Sequence, residues 1–510
     1  MEMAPPHKSA TRLIQAYSLK KNRVVAQFPD MDPAYRDRPG VAELVAVLSS
    51  GGDARIVLDP VSGLNRYLAA PYPRKTLAFA SSTANDLSAP ACDHLLGLRH
   101  KGLPDYTAHL DNLRQRIRSA YRIAESTEVV FAPSGTDLEF VALAAVAGRG
   151  RAGVHNILLG ADEVGSGCVY SARGQYFAEE TALGVATYPG EPVAGMESVT
   201  LADVPVRCAG GIARSSEEIA RQVRAEILRT HSEGRHALLH VVHGSKTGLI
   251  LPELTEIDAL KAEFGDAMSV VVDACQARIA RSAVGDYLAR GAIVFLTGSK
   301  FMGGPPFSGF ALIPETLVAA ASPLPSGFAS LFRKGEWREG WAGREWLDDS
   351  SNPGLALRLE ASVFELERFG ALGLSAVEQV IMSFQRAVRE LLEHKLGLRL
   401  IDTVPPGEEA LAVEHPIEML TLATLDVSRH PEAQTFEAAR GLYHALDKTG
   451  LRLGQPVKCV RRDDGDWGGT LRVGLSMPQI CALAAIDDHA REAALFEQIG
   501  RFAEALAIPA

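Results

Sequence analysis

Between residues 76 and 345, short apolar runs alternate with stretches of helical spacing, and this alternation constrains the fold more than any other feature of the chain. The runs are EVVFAP, HNILLG, ALLHVVHG, SVVVDAC, AIVFLTG and GFALIP. Each is too short for a stable helix and apolar on both alternating faces. Such runs read as strands buried on both sides, as in a parallel sheet whose crossovers are helices. Between them, SSEEIARQVRAEILRT has apolar residues at i, i+3/i+4 spacing and an acidic first turn, the signature of an amphipathic helix. The pattern predicts an α/β domain with a mostly parallel central sheet and helices on both faces.

The flanks read differently. Residues 1–75 are irregular, and the prolines of FPDMDP and AAPYPR break both periods, so an arm with a few short helices is expected there. Residues 346–510 begin with two helical stretches, LALRLEASVFELERF and SAVEQVIMSFQRAVRELLEHKLG. A small α+β unit follows: a strand (IEMLTLATLDV), a helix (PEAQTFEAARGLYHALDKTG), a strand (GTLRVGLS) and a last helix (DDHAREAALFEQIGRFAEALA). The predicted organisation is an arm (1–75), a large domain (76–345), and linker helices with a small C-terminal domain (346–510). With 47% hydrophobic and 22% charged residues the chain can bury a large core. Its formal charge of −10 gives a nucleic-acid partner no electrostatic support. The six cysteines form no CxxC pair and no cluster with histidine, which argues against zinc and against a disulfide framework and fits a reducing cytoplasm. No signal peptide is evident, and no apolar stretch approaches the roughly 18–20 residues of a membrane span.

Three strand ends carry polar motifs. Pro133-Ser134-Gly135-Thr136-Asp137 follows EVVFA and opens an apolar helical run. Free backbone N–H groups and hydroxyls at a helix start form a phosphate cradle, although an ordinary N-cap has the same appearance. Val272-Asp273-Ala274-Cys275-Gln276 ends the run SVVVDA. An aspartate there can keep a pyridine nitrogen protonated, or simply cap the turn, and Gln276 can reach the phenolate oxygen of the same ring. Thr297-Gly298-Ser299-Lys300 ends AIVFLTG and precedes the Gly/Pro stretch FMGGPPFSG. Alone, Lys300 is a solvated loop charge. With two hydroxyl neighbours to bind phosphate and a rigid loop after it, its amine is placed to form an imine with an aldehyde. A phosphate turn, a strand-end acid and a strand-end lysine in this order predict pyridoxal 5′-phosphate (PLP), held by Lys300 as a Schiff base.

These motifs resemble the fold-type I PLP enzymes, in the branch of class V aminotransferases and cysteine desulfurases. That branch has Ser-Gly-x-Thr-like phosphate turns, an Asp-x-x-Gln strand end and Ser-x-His-Lys around the Schiff-base lysine; here they stand as PSGTD, DACQ and TGSK. The resemblance covers residues 76–345 and, more loosely, 400–510. It implies Lys300 and Asp273 as catalytic residues. Ser134, Gly135, Thr136, Gln276, Thr297 and Ser299 are implied as cofactor contacts. Ser245, in His243-Gly244-Ser245-Lys246-Thr247-Gly248, stands where the branch has Asn-Asn-Glu-x-Gly and is placed near the cofactor oxygen. Asp162-Glu163-Val164 stands where the branch has Glu-His-His, which puts Val164 or Glu163 over the ring. Arg472 matches the arginine that grips a substrate carboxylate, and Ser82 and Thr83, in FASSTAND, line the substrate side. A homodimer is implied as well, with an amino acid as the small-molecule substrate.

The leading reaction is amino-group transfer, which needs only the lysine, the acid and the carboxylate arginine. A lyase or desulfurase reaction is the alternative, drawn from Cys459 in VKCVRR, whose basic neighbours either lower a thiol pKa or, as the favoured reading, form a solvated basic turn. Decarboxylation and β- or γ-replacement with carbon–carbon bond formation in specialised metabolism share the same first step. A PLP-fold protein that binds without catalysis is a reading of another class.

Overall fold

The computed structural model describes residues 28–165, 167–208, 211–405 and 415–507. A short strand, β1 (Leu77–Phe79), precedes the main sheet. That sheet holds β2 (Glu128–Ala132), β3 (Val154–Leu159), β4 (Thr200–Val204), β5 (His236–His243), β6 (Ile250–Leu251), β7 (Met268–Asp273), β8 (Ile293–Thr297) and β9 (Gly309–Ile313). Their spatial order is β2-β9-β8-β7-β5-β3-β4, with β6 beside β5. The β3–β4, β3–β5, β5–β7 and β7–β8 pairs are parallel. Successive side chains of one strand enter different cores: Val129 and Phe131 lie on one face, Val130 and Ala132 on the other. Both faces are therefore covered, which is why these runs lack polar alternation. Each such buried aliphatic or aromatic side chain contributes about 1.5–3 kcal/mol.

Two sequence expectations are corrected. The GFALIP strand, β9, runs antiparallel to both neighbours. Only residues 298–308 separate it from β8, and no helix forms in that loop; a parallel return needs a longer crossover. The segment IEMLTLATLDV is not one strand. It opens as a helical turn, Ile417–Leu420, started by Pro416 and closed where the Thr421 hydroxyl donates to Ile417 O at 2.8 Å.

The C-terminal unit contains β10 (Arg399–Leu400), β11 (Leu422–Asp426), β12 (Leu451–Leu453) and β13 (Thr470–Gly474), with β10-β11-β13 antiparallel. Strand β1 pairs with β12 in parallel, and Ala80 bridges to Gly474. The chain just after β1 is thereby drawn across the edge of β13. The arm helix α1 (Val41–Leu48) packs in a separate core with Tyr72, Leu95, Leu357 and Ala361. Arg358, fully buried, donates to Leu48 O (2.9 Å), Ser50 O (2.6 Å) and Phe307 O (2.8 Å). It thus caps the carboxyl end of α1 and ties the arm to the main body. Among the described residues no helix is long and apolar enough to cross a membrane.

Candidate active site

From β3 the chain winds one way, to β4; from β5 it winds the other, to β7 and β8. Such a reversal opens a crevice at the carboxyl ends of the parallel strands. The motifs lie on those ends: Ser134–Thr136 after β2, Val164 after β3, Ser245 after β5, Asp273 as the last residue of β7 with Gln276 after it, and Thr297 as the last residue of β8 with Ser299 and Lys300 after it.

Three of these turns meet at Gly135. A Cβ there would stand 3.0 Å from Cys275 Sγ and 3.1 Å from Thr297 Cγ2, so a side chain would press on both neighbouring turns. The Thr297 hydroxyl donates to Cys275 O at 2.7 Å and Ser299 Oγ to Thr297 Oγ1 at 3.2 Å, locking the lysine turn to the aspartate turn. Asp273 Oδ1 accepts from the Cys275 N–H at 2.9 Å. Lys300 is half-buried, and its Nζ has no hydrogen-bond partner among the described residues. Its backbone is held from outside, since Asn85 Nδ2 donates to Ser299 O and Lys300 O. The Ser134 hydroxyl donates to Asp137, whose carboxyl burial pushes up to about 6. The N–H groups of Gly135 and Thr136 find no acceptor among the described residues.

Other predicted residues are turned to different partners. Ser245 Oγ donates to Glu163 Oε2 at 2.7 Å. Glu163 also receives Arg207 Nε (2.8 Å) and Thr247 Oγ1 (2.9 Å). Burial raises its pKa, but Arg207 and these bonds outweigh that and hold the carboxyl below its usual range. The pair is an anchor for the 245–247 turn. Val164 packs into the main core, at 2% exposure. Ser166, in the same loop, lies outside the described residues.

The substrate side is assembled from distant segments. Arg472 is buried; its Nε donates to Gln455 O (2.8 Å), its Nη1 to Ser82 O and Lys246 O (both 3.2 Å), and its Nη2 to Thr83 Oγ1 (3.0 Å). Burial pushes this guanidinium down to about 10. Ser82 Oγ is buried and has no partner among the described residues.

Four contributors escaped the sequence reading. Arg55, from the arm, pairs with Asp53 at 2.7 Å, lies over the Phe177 and Phe307 rings, and reaches Ser134 Oγ at 3.3 Å. Glu139 and His240 pair at 2.8 Å behind the aspartate turn, both fully buried. A usable signal existed here, because each interrupts an otherwise apolar run. Burial lowers the His240 pKa, but Glu139 outweighs it and the net shift is upward. Arg278 donates to Gln276 Oε1 (2.8 Å), Ser81 Oγ (2.7 Å) and Leu475 O (3.1 Å), in space left by Gly474, where a Cβ would stand 2.9 Å from it. A guanidinium only donates, so it fixes the Gln276 oxygen inward and the amide N–H₂ toward Ser82 O, at 3.1 Å. Lys246 is the fourth.

Unpaired turn N–H groups, a strand-end carboxylate, a donor amide and an unpartnered lysine amine are together the donor set for a phosphate-bearing pyridine aldehyde, so the residues present fit PLP. The chain has the fold of the fold-type I PLP enzymes: a mostly parallel sheet covered on both faces with a smaller C-terminal α+β unit. A NifS-like protein superimposes with a TM-score of 0.53 at 13% identity, over 84% of this chain and 99% of its own. The cysteine desulfurase CsdA from Escherichia coli gives 0.52 at 15% identity, over 85% and 96%. Ureidoglycine–glyoxylate aminotransferase from Bacillus subtilis gives 0.50 at 13%, over 84% and 97%. No family model and no curated protein sequence matches the chain.

Proposed function

We propose that this protein is a PLP-dependent enzyme that acts on an amino acid through Lys300, and that its reaction is amino-group transfer. The observation that carries the reading is the meeting of the 134–136 turn, the Asp273 turn and the Lys300 turn around Gly135. Bound there, PLP would supply an aldehyde for amines and a ring that accepts the electron pair released at the substrate Cα. Ser134, Gly135 and Thr136 hold the phosphate. Asp273 keeps a proton on the ring nitrogen through its negative charge. Gln276, oriented by Arg278, donates to the phenolate oxygen. Lys300 Nζ, free of competing partners among the described residues, would take the proton from the substrate Cα and return it on the far side of the substrate nitrogen. Arg472 receives the α-carboxylate and fixes which Cα bond faces the ring.

The solved structures that share the fold include the cysteine desulfurase and the aminotransferase named above. One observation favours transfer over a cysteine-dependent desulfurase reaction. Cys459 is buried with Val457 and Val460, and burial pushes its thiol up to about 12 despite the basic neighbours. A neutral buried thiol is a poor nucleophile.

Borohydride reduction of the PLP-loaded protein should fix the cofactor to Lys300 by peptide mass. Lys300→Ala should lose the adduct, the visible absorbance and all turnover. Incubation with an amino acid donor and no acceptor should build up pyridoxamine phosphate. Release of ammonia or sulfide without it would overturn the transfer assignment.

A further inference from the structure

The substrate side holds more positive charge than one α-carboxylate balances. Among the described residues Arg278, Arg472 and Lys246 form no ion pair with any acid, although each has hydrogen bonds. Glu163, the acid that acts electrostatically on Lys246, is committed to Arg207, Ser245 and Thr247. Unpaired cations gathered in a partly buried crevice are costly unless an anion joins them.

The three cations differ in what they can still bind. Arg278 is 1% exposed, and its terminal nitrogens are committed to Gln276, Ser81 and Leu475; it positions Gln276. Arg472 has its Nε and both Nη1 donors committed and keeps one Nη2 N–H, which would take the α-carboxylate on the proposed reading. Lys246 is half-buried, and its ammonium, with three N–H donors, has one acceptor, Asp162 O at 3.1 Å. Its backbone holds it in place: the N–H donates to Glu163 O at 3.1 Å and the C=O accepts from Arg472 at 3.2 Å. Burial, Arg472 and Lys300 lower its pKa, with Glu163 opposing, so the ammonium lies within electrostatic reach of the guanidinium and of the lysine that carries the chemistry.

The remaining charges have partners. On the PLP reading Asp273 would answer the ring nitrogen, and the Ser134 turn, where Arg55 stands, would hold the phosphate. Lys246 alone is left accessible and unanswered. We infer that the substrate is an amino acid bearing a second anionic group, and that Lys246 receives that group beside Arg472. This rests on the PLP reading of Lys300.

The test is titration of the bound-cofactor absorbance with aspartate against asparagine, and glutamate against glutamine, at low and high salt. One or both acids should bind about tenfold or more tightly than the matching amide, and the preference should shrink with salt. Lys246→Met should bring the acid-to-amide ratio close to one, and Lys246→Arg should keep most of it; far-ultraviolet circular dichroism checks that both variants fold. Equal affinities, no response to acid or amide in a protein that carries PLP on Lys300, or a preference that survives Lys246→Met would each overturn the inference. Failure of borohydride to fix PLP on Lys300 would overturn the reading beneath it instead.

Discussion

The two sides of the crevice are built in different ways. On the proposed cofactor side Ser134–Thr136, Asp273–Gln276 and Thr297–Lys300 sit at or just after strand ends, and the register of the sheet sets their position: Val272 opposite Val294 and Asp273 opposite Phe295 bring the aspartate and lysine turns side by side. On the substrate side Ser82, Lys246, Arg278 and Arg472 come from four distant segments, joined by side-chain bonds to backbone carbonyls. Strand β13 enters through the C-terminal unit, and the 80–86 segment reaches it only because β1 pairs with β12. On the proposed reading, backbone-set groups would serve any amine that reaches the crevice, and groups set by the docking of separate segments would choose among amines.

This contrast can be broken by experiment. The largest effect is expected at Asp273. Asp273→Asn should lower turnover on the order of 10²–10³-fold, by the same factor for every amino acid accepted, with the cofactor still linked to Lys300. Unequal losses would show that this side also discriminates. Next is Arg472→Gln, which keeps a donor but removes the charge. The KM for amino acids should rise about 10- to 100-fold, while amines lacking the carboxylate should change little. An equal rise for both would mean that Arg472 only holds the 80–86 segment. The smallest effect concerns stability. The buried Asp137 carboxyl titrates at about 6 rather than 3.8, so the folded protein holds this proton to higher pH than the unfolded chain does. Stability should therefore fall as pH rises from about 4 to about 6, by on the order of 3 kcal/mol from this group. Asp137→Asn should flatten that slope in urea unfolding followed across the same range.

Much of the main sheet was legible in the sequence. The six runs became β2, β3, β5, β7, β8 and β9 because burial on both faces leaves continuous apolar segments. The direction of β9 was not legible, because it depends on the length of one loop and not on the strand itself. The turn at Ile417–Leu420 was hidden in the same way, since four apolar residues fit either period. Ser134, Asp273 and Lys300 could be picked out because each interrupts or ends an apolar run. Arg278 could not. It lies two residues after Gln276 with nothing local to distinguish it, and its role depends on the missing side chain at Gly474 nearly two hundred residues away. Lys246 was quoted only as part of a strand-end motif.

By itself the sequence determined most strands of the sheet and the order of the strand-end motifs on which the PLP proposal rests. These depend on local pattern: period, turn residues and the polar groups at each strand end. Only the tertiary structure decided which way Ser245 and Val164 turn, what holds the Gln276 amide, and that Lys246 and Arg472 stand together without a counter-charge. The physical reason is range. A strand end is written in a few consecutive residues, whereas an unpaired charge can be recognised only after every other segment has taken its place around it.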